Sequence, residues 1–210
     1  MKQGLFITFE GPDGSGKTTI LEKITQYFKT EGIDFIKTRE PGGSAIAQQI
    51  RGVVLDENNK NLSATTEALL FAASRAQHFD EIIVPTLKEN KVLLCDRFID
   101  SSLVYQGIAR GLGVEQVLSI NNFAIQGKMP DLTIFFDVKP HIGLARIASN
   151  NNREVNRLDL EDIEFHQKVY DGYLMIRDMY KSRFRTVDAS QDIDTVFEQV
   201  KNIIKENLNG

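Results

Sequence analysis

The chain has 210 residues and a hydrophobic content of 41%, enough to bury one substantial core, so we expect a single domain over residues 1–210. Its formal net charge is −4 at pH 7. This charge argues against nucleic-acid or membrane partners, because surfaces that bind them need clustered Lys and Arg. The N-terminus is too poor in apolar residues for a signal peptide, and no apolar run approaches the roughly 18 residues of a membrane span. We therefore expect a cytoplasmic protein.

A glycine-rich segment at residues 11–18 follows a short apolar run. It fits the phosphate-loop pattern G-x-x-x-x-G-K-[ST], with the members Gly11, Pro12, Asp13, Gly14, Ser15, Gly16, Lys17 and Thr18. Glycines let successive backbone N–H groups face one anion, and the next helix directs its positive dipole end there. The pattern predicts that Lys17 reaches the β and γ phosphates of a nucleotide and that the Thr18 hydroxyl contacts Mg²⁺.

Apolar runs and helical periodicities alternate along the whole chain. Strands are predicted at about residues 5–9, 33–37, 91–96, 131–138 and 185–188. Helices are predicted at about residues 17–30, 45–55, 66–88, 114–126, 140–148, 161–183 and 193–208. This alternation predicts an α/β fold whose parallel sheet is covered by helices on both faces.

Local features refine these elements. The helical pattern 66–88 has two apolar faces, one for the sheet and one for a neighbouring subunit, and Pro85 predicts a break near its end. A further helix follows Arg97, and Ser101 or Ser102 could cap it. Cys95 lies in an apolar run and is interpreted as a small core residue.

The third predicted strand ends in a carboxylate, that of Asp96. Parallel strands of one sheet present their carboxyl ends on the same side, where such folds bind ligands. Asp96 is therefore predicted to face the Mg²⁺ region beside Thr18, as a Walker B carboxylate does.

The segment 149–160 is polar and has no apolar periodicity. It carries Arg153 and Arg157, four residues apart. We expect this segment to be a mobile lid over the phosphate site.

Five segments occur in order along the chain: FEGPDGSGKTT at 9–19, TREPGG at 38–43, DRFIDSSLVYQG at 96–107, PDLTIFFDV at 130–138 and NREVNRLD at 152–159. With them the chain resembles bacterial thymidylate kinases, P-loop nucleoside monophosphate kinases, over its whole length. The resemblance implies a three-layer P-loop NTPase fold, with a five-stranded parallel sheet flanked by helices and a short lid. It also implies a homodimer that uses Mg²⁺ and ATP to convert dTMP to dTDP, for dTTP synthesis and DNA replication.

The resemblance implies a base pocket for dTMP. Phe71 would stack on the thymine ring, and Arg75 would read its O4 edge. Ser101 and Gln106 would complete the base contacts. Tyr105 would crowd the position of a ribose 2′-OH and so favour deoxyribose.

The resemblance also implies the phosphate contacts. Asp13 would lie near the 3′-OH and the Mg²⁺ waters, and Arg39 and Arg97 would hold the acceptor phosphate. Glu40 and Arg51 would support the same pocket from behind. The metal contacts would come from Thr18 and Asp96, partly through water.

Some members of the family carry a basic residue inside the phosphate loop, at the place of Gly14 here. The chain instead resembles the subtype whose lid arginine supplies the transition-state charge. ATP would then be bound by the phosphate loop together with Arg153 and Arg157. The residues implied for catalysis are Lys17, Asp13, Arg97 and Arg153.

Two other functions stay open on the sequence. One is a different phosphotransferase on this scaffold, such as a uridylate, cytidylate or deoxynucleoside kinase. The other is a switch or binding module that senses ATP or GTP with the same loop. The chain lacks an N-K-x-D segment for guanine, since its Asn59-Lys60 pair is followed by Asn61-Leu62, and this argues against a GTPase.

Overall fold

The computed structural model describes residues 4–149 and 157–208. Five parallel strands form one sheet in the order β2-β3-β1-β4-β5. The strands are β1 (Phe6–Glu10), β2 (Phe35–Arg39), β3 (Val92–Asp96), β4 (Leu132–Asp137) and β5 (Phe184–Asp188). The predicted α/β fold with a five-stranded parallel sheet is confirmed.

Helices connect the strands and cover both faces of the sheet. They are α1 (Lys17–Thr30), α2 (Ala45–Leu55), α3 (Ala64–His78), α4 (Val84–Lys88), α5 (Ile99–Ser102), α6 (Val114–Ile125), α7 (Pro140–Ala148), α8 (Ile163–Met179) and α9 (Ile193–Leu208). Wider π-helical turns follow α3 at Phe79–Ile83 and α5 at Leu103–Ala109, and a 3₁₀ turn lies at Arg157–Leu160. None of the helices within the described ranges has the length and apolar character that crossing a bilayer requires.

The three central strands, β1, β3 and β4, are buried on both faces because two separate cores flank them. Phe6 and Cys95 face a core formed with α3, α6 and α8. Ile7 and Leu94 face the opposite core, formed with α1 and α9. Successive strand residues point to opposite faces, so each short strand contributes to both layers. Cys95 is fully buried, as expected for a core residue.

The strand register places the last residues of β1, β2 and β3 side by side. Phe9 pairs with Asp96, and Asp96 pairs in turn with Arg39 on the other neighbouring strand. The phosphate loop leaves β1 directly after Glu10, so it meets the ends of β2 and β3. All of these residues therefore lie along the carboxyl edge of the sheet.

The second strand begins two residues later than predicted. After α1 the chain turns at Gly32, whose φ is +68°, and the Ile33 N–H donates to the Phe28 carbonyl. This contact caps the helix and keeps Ile33 out of the sheet. As a consequence Arg39 is the last residue of β2 and not a loop residue.

Two helical predictions were wrong. Pro85 does not break its helix: the run continues because its missing N–H falls where the bonding changes from the π to the α pattern. Ser101 and Ser102 do not cap a helix, since α5 already begins at Ile99. Their hydroxyls are used inside the protein instead, as described below.

The predicted lid is in part a folded element. Residues 157–160 form a 3₁₀ turn in which Arg157 and Leu158 are buried. Residues 150–156, which include Arg153, lie outside the described residues.

A buried ion pair joins the sheet to α5. Arg183, just before β5, donates to both oxygens of Asp100 at 2.6 and 2.7 Å and to Thr133 Oγ1 at 2.6 Å. Asp100 is fully buried. The substitution Arg183→Leu should lower the free energy of unfolding by about 3–5 kcal/mol, because it leaves a buried carboxylate without its partner.

Urea denaturation of the variant measures this loss. The matched control is Arg185→Leu, an exposed arginine two residues further along the chain, which should change stability by no more than about 0.5 kcal/mol. Equal effects of the two substitutions would contradict a stabilising role of the Asp100 pair.

Candidate active site

A cavity of about 930 Å³ opens at the carboxyl edge of the sheet. Its walls come from the phosphate loop, the ends of β2 and β3, α3, the helical segment after β3 and the turn after β5. The predicted site residues that line it are Asp13, Gly14, Ser15, Gly16, Lys17, Thr18, Arg39, Glu40, Arg51, Phe71, Arg75, Asp96, Arg97, Ser101, Tyr105 and Gln106. Gly11, Pro12 and Arg157 are not among its lining residues.

The phosphate loop curls around the ammonium group of Lys17. Lys17 Nζ donates to the carbonyls of Gly11 and Pro12 at 2.9 and 2.8 Å and to Ser15 Oγ at 3.1 Å. Gly16 has a φ of +85°, a conformation that glycine adopts without strain. The loop thus folds into the compact turn from which α1 begins.

Gly14 lies against the backbone of α7. Its φ is +74°, and a Cβ placed there would lie 2.1 Å from the Gly143 carbonyl oxygen. No side chain fits at this position without displacing α7. This contact explains why the loop carries glycine here and has no basic side chain of its own at that place.

Lys17 titrates near neutral pH. Burial lowers the pKa of its ammonium to about 7, and the neighbouring Arg97 charge acts in the same direction. The carboxylates of Asp13, Asp96 and Glu10 oppose this shift. An anion at the loop would add to their effect and raise the pKa again.

Thr18 and Asp96 form an oxygen pair at the start of α1. Thr18 Oγ1 donates to Asp96 Oδ2 at 2.8 Å, so the hydroxyl and the carboxylate lie side by side. Hard oxygen donors of this kind suit Mg²⁺, which takes one or two protein ligands and completes its shell with water and phosphate oxygens. The pair therefore fits the predicted metal position. Within the ranges that the structure describes, no cluster of three metal-binding side chains occurs.

Arg97 is held at the centre of the cavity by three acceptors. Its Nη2 donates to Asp13 Oδ1 at 2.6 Å, and its Nη1 donates to Ser101 Oγ and Tyr173 Oη, each at 3.0 Å. Its φ of +67° is unusual for a residue with a Cβ. Tyr105 Oη donates to Asp13 Oδ2 at 2.7 Å, so one carboxylate joins the arginine to the tyrosine.

Beneath Arg97 lies a buried carboxylate that the sequence analysis assigned no role. Glu10 Oε1 accepts from the backbone N–H groups of Phe98 at 2.7 Å and Ser101 at 3.3 Å. Its Oε2 accepts from Ser101 Oγ at 2.7 Å and Tyr173 Oη at 2.9 Å. Because each hydroxyl has one proton, these two turn their lone pairs toward Arg97.

The same burial affects the acidity of Glu10. It raises the pKa of the Glu10 carboxyl to about 7, and the nearby Asp100 charge adds to the shift, while Arg97 lowers it. A signal for this residue was present in the sequence: it is a charged side chain at the end of a strand that is otherwise apolar. Tyr173, on the distant α8, had no such signal.

One end of the cavity, where the resemblance implies a base pocket and which we call the base end, is formed by one face of α3. Glu67, Phe71 and Arg75 are spaced four residues apart, so they form a stripe along the helix. Phe71 lines the cavity with its ring largely buried. The structure therefore brings Phe71 and Arg75 together at one end of the cavity.

Arg75 is fully buried and held on several sides. Its Nε donates to Glu40 Oε2 at 2.7 Å. Its Nη1 donates to Ser102 Oγ at 2.9 Å and to Asn121 Oδ1, and its Nη2 donates to the Phe98 carbonyl at 3.0 Å. Four of its five N–H groups thus have acceptors among the described residues. This leaves one N–H of Nη2 for the cavity.

Glu40 and Arg51 support the pocket from behind. Glu40 also forms a hydrogen bond through its Oε1 with His78 Nδ1, at 2.8 Å. Arg51 Nη1 donates to the Pro41 carbonyl at 3.1 Å, within the turn that follows β2. Arg39 extends from the end of β2 into the cavity wall.

The structure does not bring Arg157 to the phosphate loop. Its Nη2 donates to Glu67 Oε2 at 2.6 Å, and its guanidinium also bonds to the Val54 carbonyl. The prediction that Arg157 binds ATP as a lid residue is therefore corrected: buried pairing with Glu67 holds it against α2 and α3. Arg153 lies outside the described residues, and its role stays a prediction.

The opposite end of the cavity was missed by the sequence analysis. Arg146 of α7 lines it and donates to the carbonyls of Ala189 at 2.8 Å and Ser190 at 3.4 Å, after β5. Gln191 lies in the same wall. No sequence pattern marks this end, because it is assembled from two elements that are distant in the chain.

The pKa of Lys17 predicts a proton uptake. Above about pH 7 the unliganded lysine is mostly neutral, and a bound polyphosphate should restore its charge, so binding should weaken as the pH rises. At pH 8 we expect about one proton to be taken up per ADP bound without metal. Calorimetric titration in two buffers of different ionisation enthalpy measures this number. The Lys17→Arg variant stays charged at this pH, and equal uptake by both proteins would rule out Lys17 as the source.

Comparison with known proteins agrees with this geometry. The family model described as thymidylate kinase matches residues 9–200. The chain is 54% identical over 205 residues to a thymidylate kinase of Clostridium novyi (strain NT), covering 98% of this chain and 100% of the relative. It is 55% identical over 201 residues to that of Anoxybacillus flavithermus, covering 96% of both. A crystal structure of thymidylate kinase from Ehrlichia chaffeensis matches with a TM-score of 0.79 and 32% identity, covering 97% of this chain and 99% of that one. The chain belongs to the thymidylate kinase family.

Proposed function

We propose that the chain transfers the γ-phosphate of ATP to dTMP in this cavity, giving dTDP and ADP. The observation that carries the proposal is the continuity of the cavity, which joins the phosphate loop at Lys17 to the Phe71 and Arg75 face of α3. A nucleotide donor and a pyrimidine acceptor can therefore meet in line at Arg97. The reaction serves dTTP synthesis, which we expect to take place in the cytoplasm.

The main task of the site is to neutralise charge. ATP and a nucleoside monophosphate bring roughly six negative charges together, and two unit charges 4 Å apart repel by about 4 kcal/mol at an effective dielectric constant near 20. Lys17 would bind the donor phosphates, and Arg39 and Arg97 the acceptor phosphate. The acceptor is already ionised, so positioning and charge stabilisation suffice without a strong general base.

We assign the metal position to Thr18 and Asp96. The Thr18 hydroxyl and the Asp96 carboxylate would hold Mg²⁺, which would supply positive charge against the charge that develops on the phosphates. Asp13 accepts hydrogen bonds from both Arg97 and Tyr105. These contacts support the assignment of its carboxylate to the region between the acceptor sugar and the phosphates. We assign to Arg153 alone the positive charge that the lid would bring to the transition state, because Arg157 is paired with Glu67.

The base contacts follow from the donors on α3. Phe71 offers a ring face for stacking, and the remaining Nη2 N–H of Arg75 can bind a carbonyl oxygen such as thymine O4. Tyr105 is held by Asp13 beside the sugar position, which favours deoxyribose. Ser101 is occupied by Glu10 and Arg97, so we assign it to the orientation of Arg97 and no longer to the base.

The experiment measures ADP release from Mg-ATP with dTMP, dUMP, dCMP, UMP and AMP offered separately at equal concentration. We expect strong turnover on dTMP, weaker turnover on dUMP and negligible turnover on the others. The Lys17→Met variant is the negative control, since it removes the charge on the donor phosphates. Turnover on another acceptor would overturn the base pocket, and none on any acceptor would favour a binding module.

We further propose that the chain forms a homodimer through α2, α3 and α6, which pack side by side. The outer faces of these helices carry large apolar side chains, Ile46, Val53, Leu69 and Phe123, of which Phe123 is 88% exposed. An apolar face of this kind is typical of a surface between subunits.

The substitution Phe123→Asp should shift the protein from dimer to monomer, because a charge at the centre of an apolar contact must be desolvated. Sedimentation velocity at micromolar protein concentration measures the change. The matched control is Met175→Asp on α8, which is exposed to 52% but lies on another face, and which should stay dimeric. A monomeric parent protein, or equal behaviour of the two variants, would contradict this interface.

A further inference from the structure

The side chain of Gln106 reaches the base end of the cavity but is held from behind. Its Nε2 donates to Glu67 Oε1 at 2.8 Å. We propose that Glu67 is a positioning residue that keeps the Gln106 carbonyl oxygen toward the base, so that the cavity selects a pyrimidine with an N–H at ring position 3. The inference rests on the function proposed above, because it takes this end of the cavity as the base pocket.

Glu67 is suited to this task because it can only accept hydrogen bonds. Its side chain is fully buried and faces two arginines, with Arg157 Nη2 at 2.6 Å and Arg110 Nη2 at 3.3 Å from Oε2. Arginine side chains offer only donors, so Glu67 accepts at Oε2 from Arg157 and Arg110 and at Oε1 from Arg110 Nε at 3.4 Å. The group that faces Glu67 must therefore be a donor.

The need for a donor opposite Glu67 determines the orientation of the Gln106 amide. With Nε2 on Glu67, the carbonyl Oε1 accepts no hydrogen bond from the described residues, and the side chain lines the cavity. The reversed amide would place two acceptors against each other inside the protein, and a buried acceptor without a donor is costly. One orientation of Gln106 is thus favoured before any substrate binds.

Gln106 and Arg75 then present opposite hydrogen-bonding groups to the cavity. Arg75 has only donors, and Gln106 presents an acceptor. Thymine and uracil carry the matching groups on adjacent ring positions, a carbonyl at O4 and an N–H at N3. Cytosine carries an amino group at position 4 and an acceptor at N3, so both contacts would be repulsive. Sites with buried polar groups reject a mismatched partner strongly, because those groups are left unpaired.

The test compares kcat/KM for dTMP, dUMP and dCMP at saturating Mg-ATP. In the Glu67→Gln variant a neutral amide faces Gln106 and can donate or accept, so the Gln106 amide can turn. The preference for dTMP over dCMP should fall by about tenfold or more. The preference for dTMP over dUMP should stay the same, because both bases carry an N–H at N3 and differ only in the methyl group.

A control and a second variant separate positioning from stability. Arg110→Gln removes another partner of Glu67 without touching Gln106, and it should keep the parent preference for dTMP over dCMP. If Glu67→Gln alone does not fold, the variant Glu67→Gln with Arg157→Met removes the unpaired buried arginine as well, and it should show the same loss of preference.

Three results would overturn the inference. One is a folded Glu67 variant whose preference for dTMP over dCMP stays within roughly twofold of the parent. Another is an equal fall in both preferences, which would mean a general loosening of the pocket. The third is a loss of preference in Arg110→Gln as large as in Glu67→Gln. A parent protein inactive on dTMP would instead overturn the proposed function, before any variant is compared.

Discussion

The carboxylate of Glu10 is the group on which the arrangement of the site depends. It lies at the end of the central strand and accepts four hydrogen bonds, two from backbone N–H groups at the start of α5 and two from hydroxyls. This carboxylate comes from β1 and caps the first N–H groups of α5. Its negative charge also interacts favourably with the positive end of the helix dipole. The hydroxyls of Ser101 and Tyr173 then present lone pairs to Arg97. A buried residue that lies beneath the arginine thus sets the direction of its guanidinium at the centre of the cavity.

The centre and the base end of the cavity are organised in the same way. In both places a buried carboxylate holds a polar side chain that in turn faces the cavity: Glu10 acts through Ser101 and Tyr173 at the centre, and at the base end Glu40 holds Arg75 and Glu67 holds Gln106. Burial makes such contacts directional, because the low local dielectric raises the cost of any wrong pairing. The side chains that face the cavity are therefore oriented by buried carboxylates.

The sequence predicted what depends on neighbours along the chain. The phosphate loop, the carboxylate at the end of β3 and the alternation of strands and helices follow from local spacing. The roles of Phe71 and Arg75 in a base pocket came instead from the resemblance to a known family, since their spacing of four only places them on one helix face. Contacts between segments that are distant in the chain could not be predicted from the sequence. Ser101 was predicted as a helix cap because nothing local shows that Glu10, 91 residues away, already bonds to its N–H group. Arg157 was predicted in a mobile lid because its partner Glu67 is 90 residues away. The wall of Arg146 and Ala189 escaped prediction for the same reason.

The contact between Gly14 and Gly143 limits how such a protein can evolve. A Cβ at Gly14 would lie 2.1 Å from the Gly143 carbonyl oxygen, and a Cβ at Gly143 would lie 2.4 Å from the Asp13 carbonyl oxygen. Neither glycine can be replaced while the other backbone stays in place. An arginine introduced into the loop by one substitution would thus lose the support of α7 before it could contribute its charge. Placing a basic side chain in the loop requires a concerted change of two segments, so a lineage that begins from this backbone is expected to keep glycine at both positions.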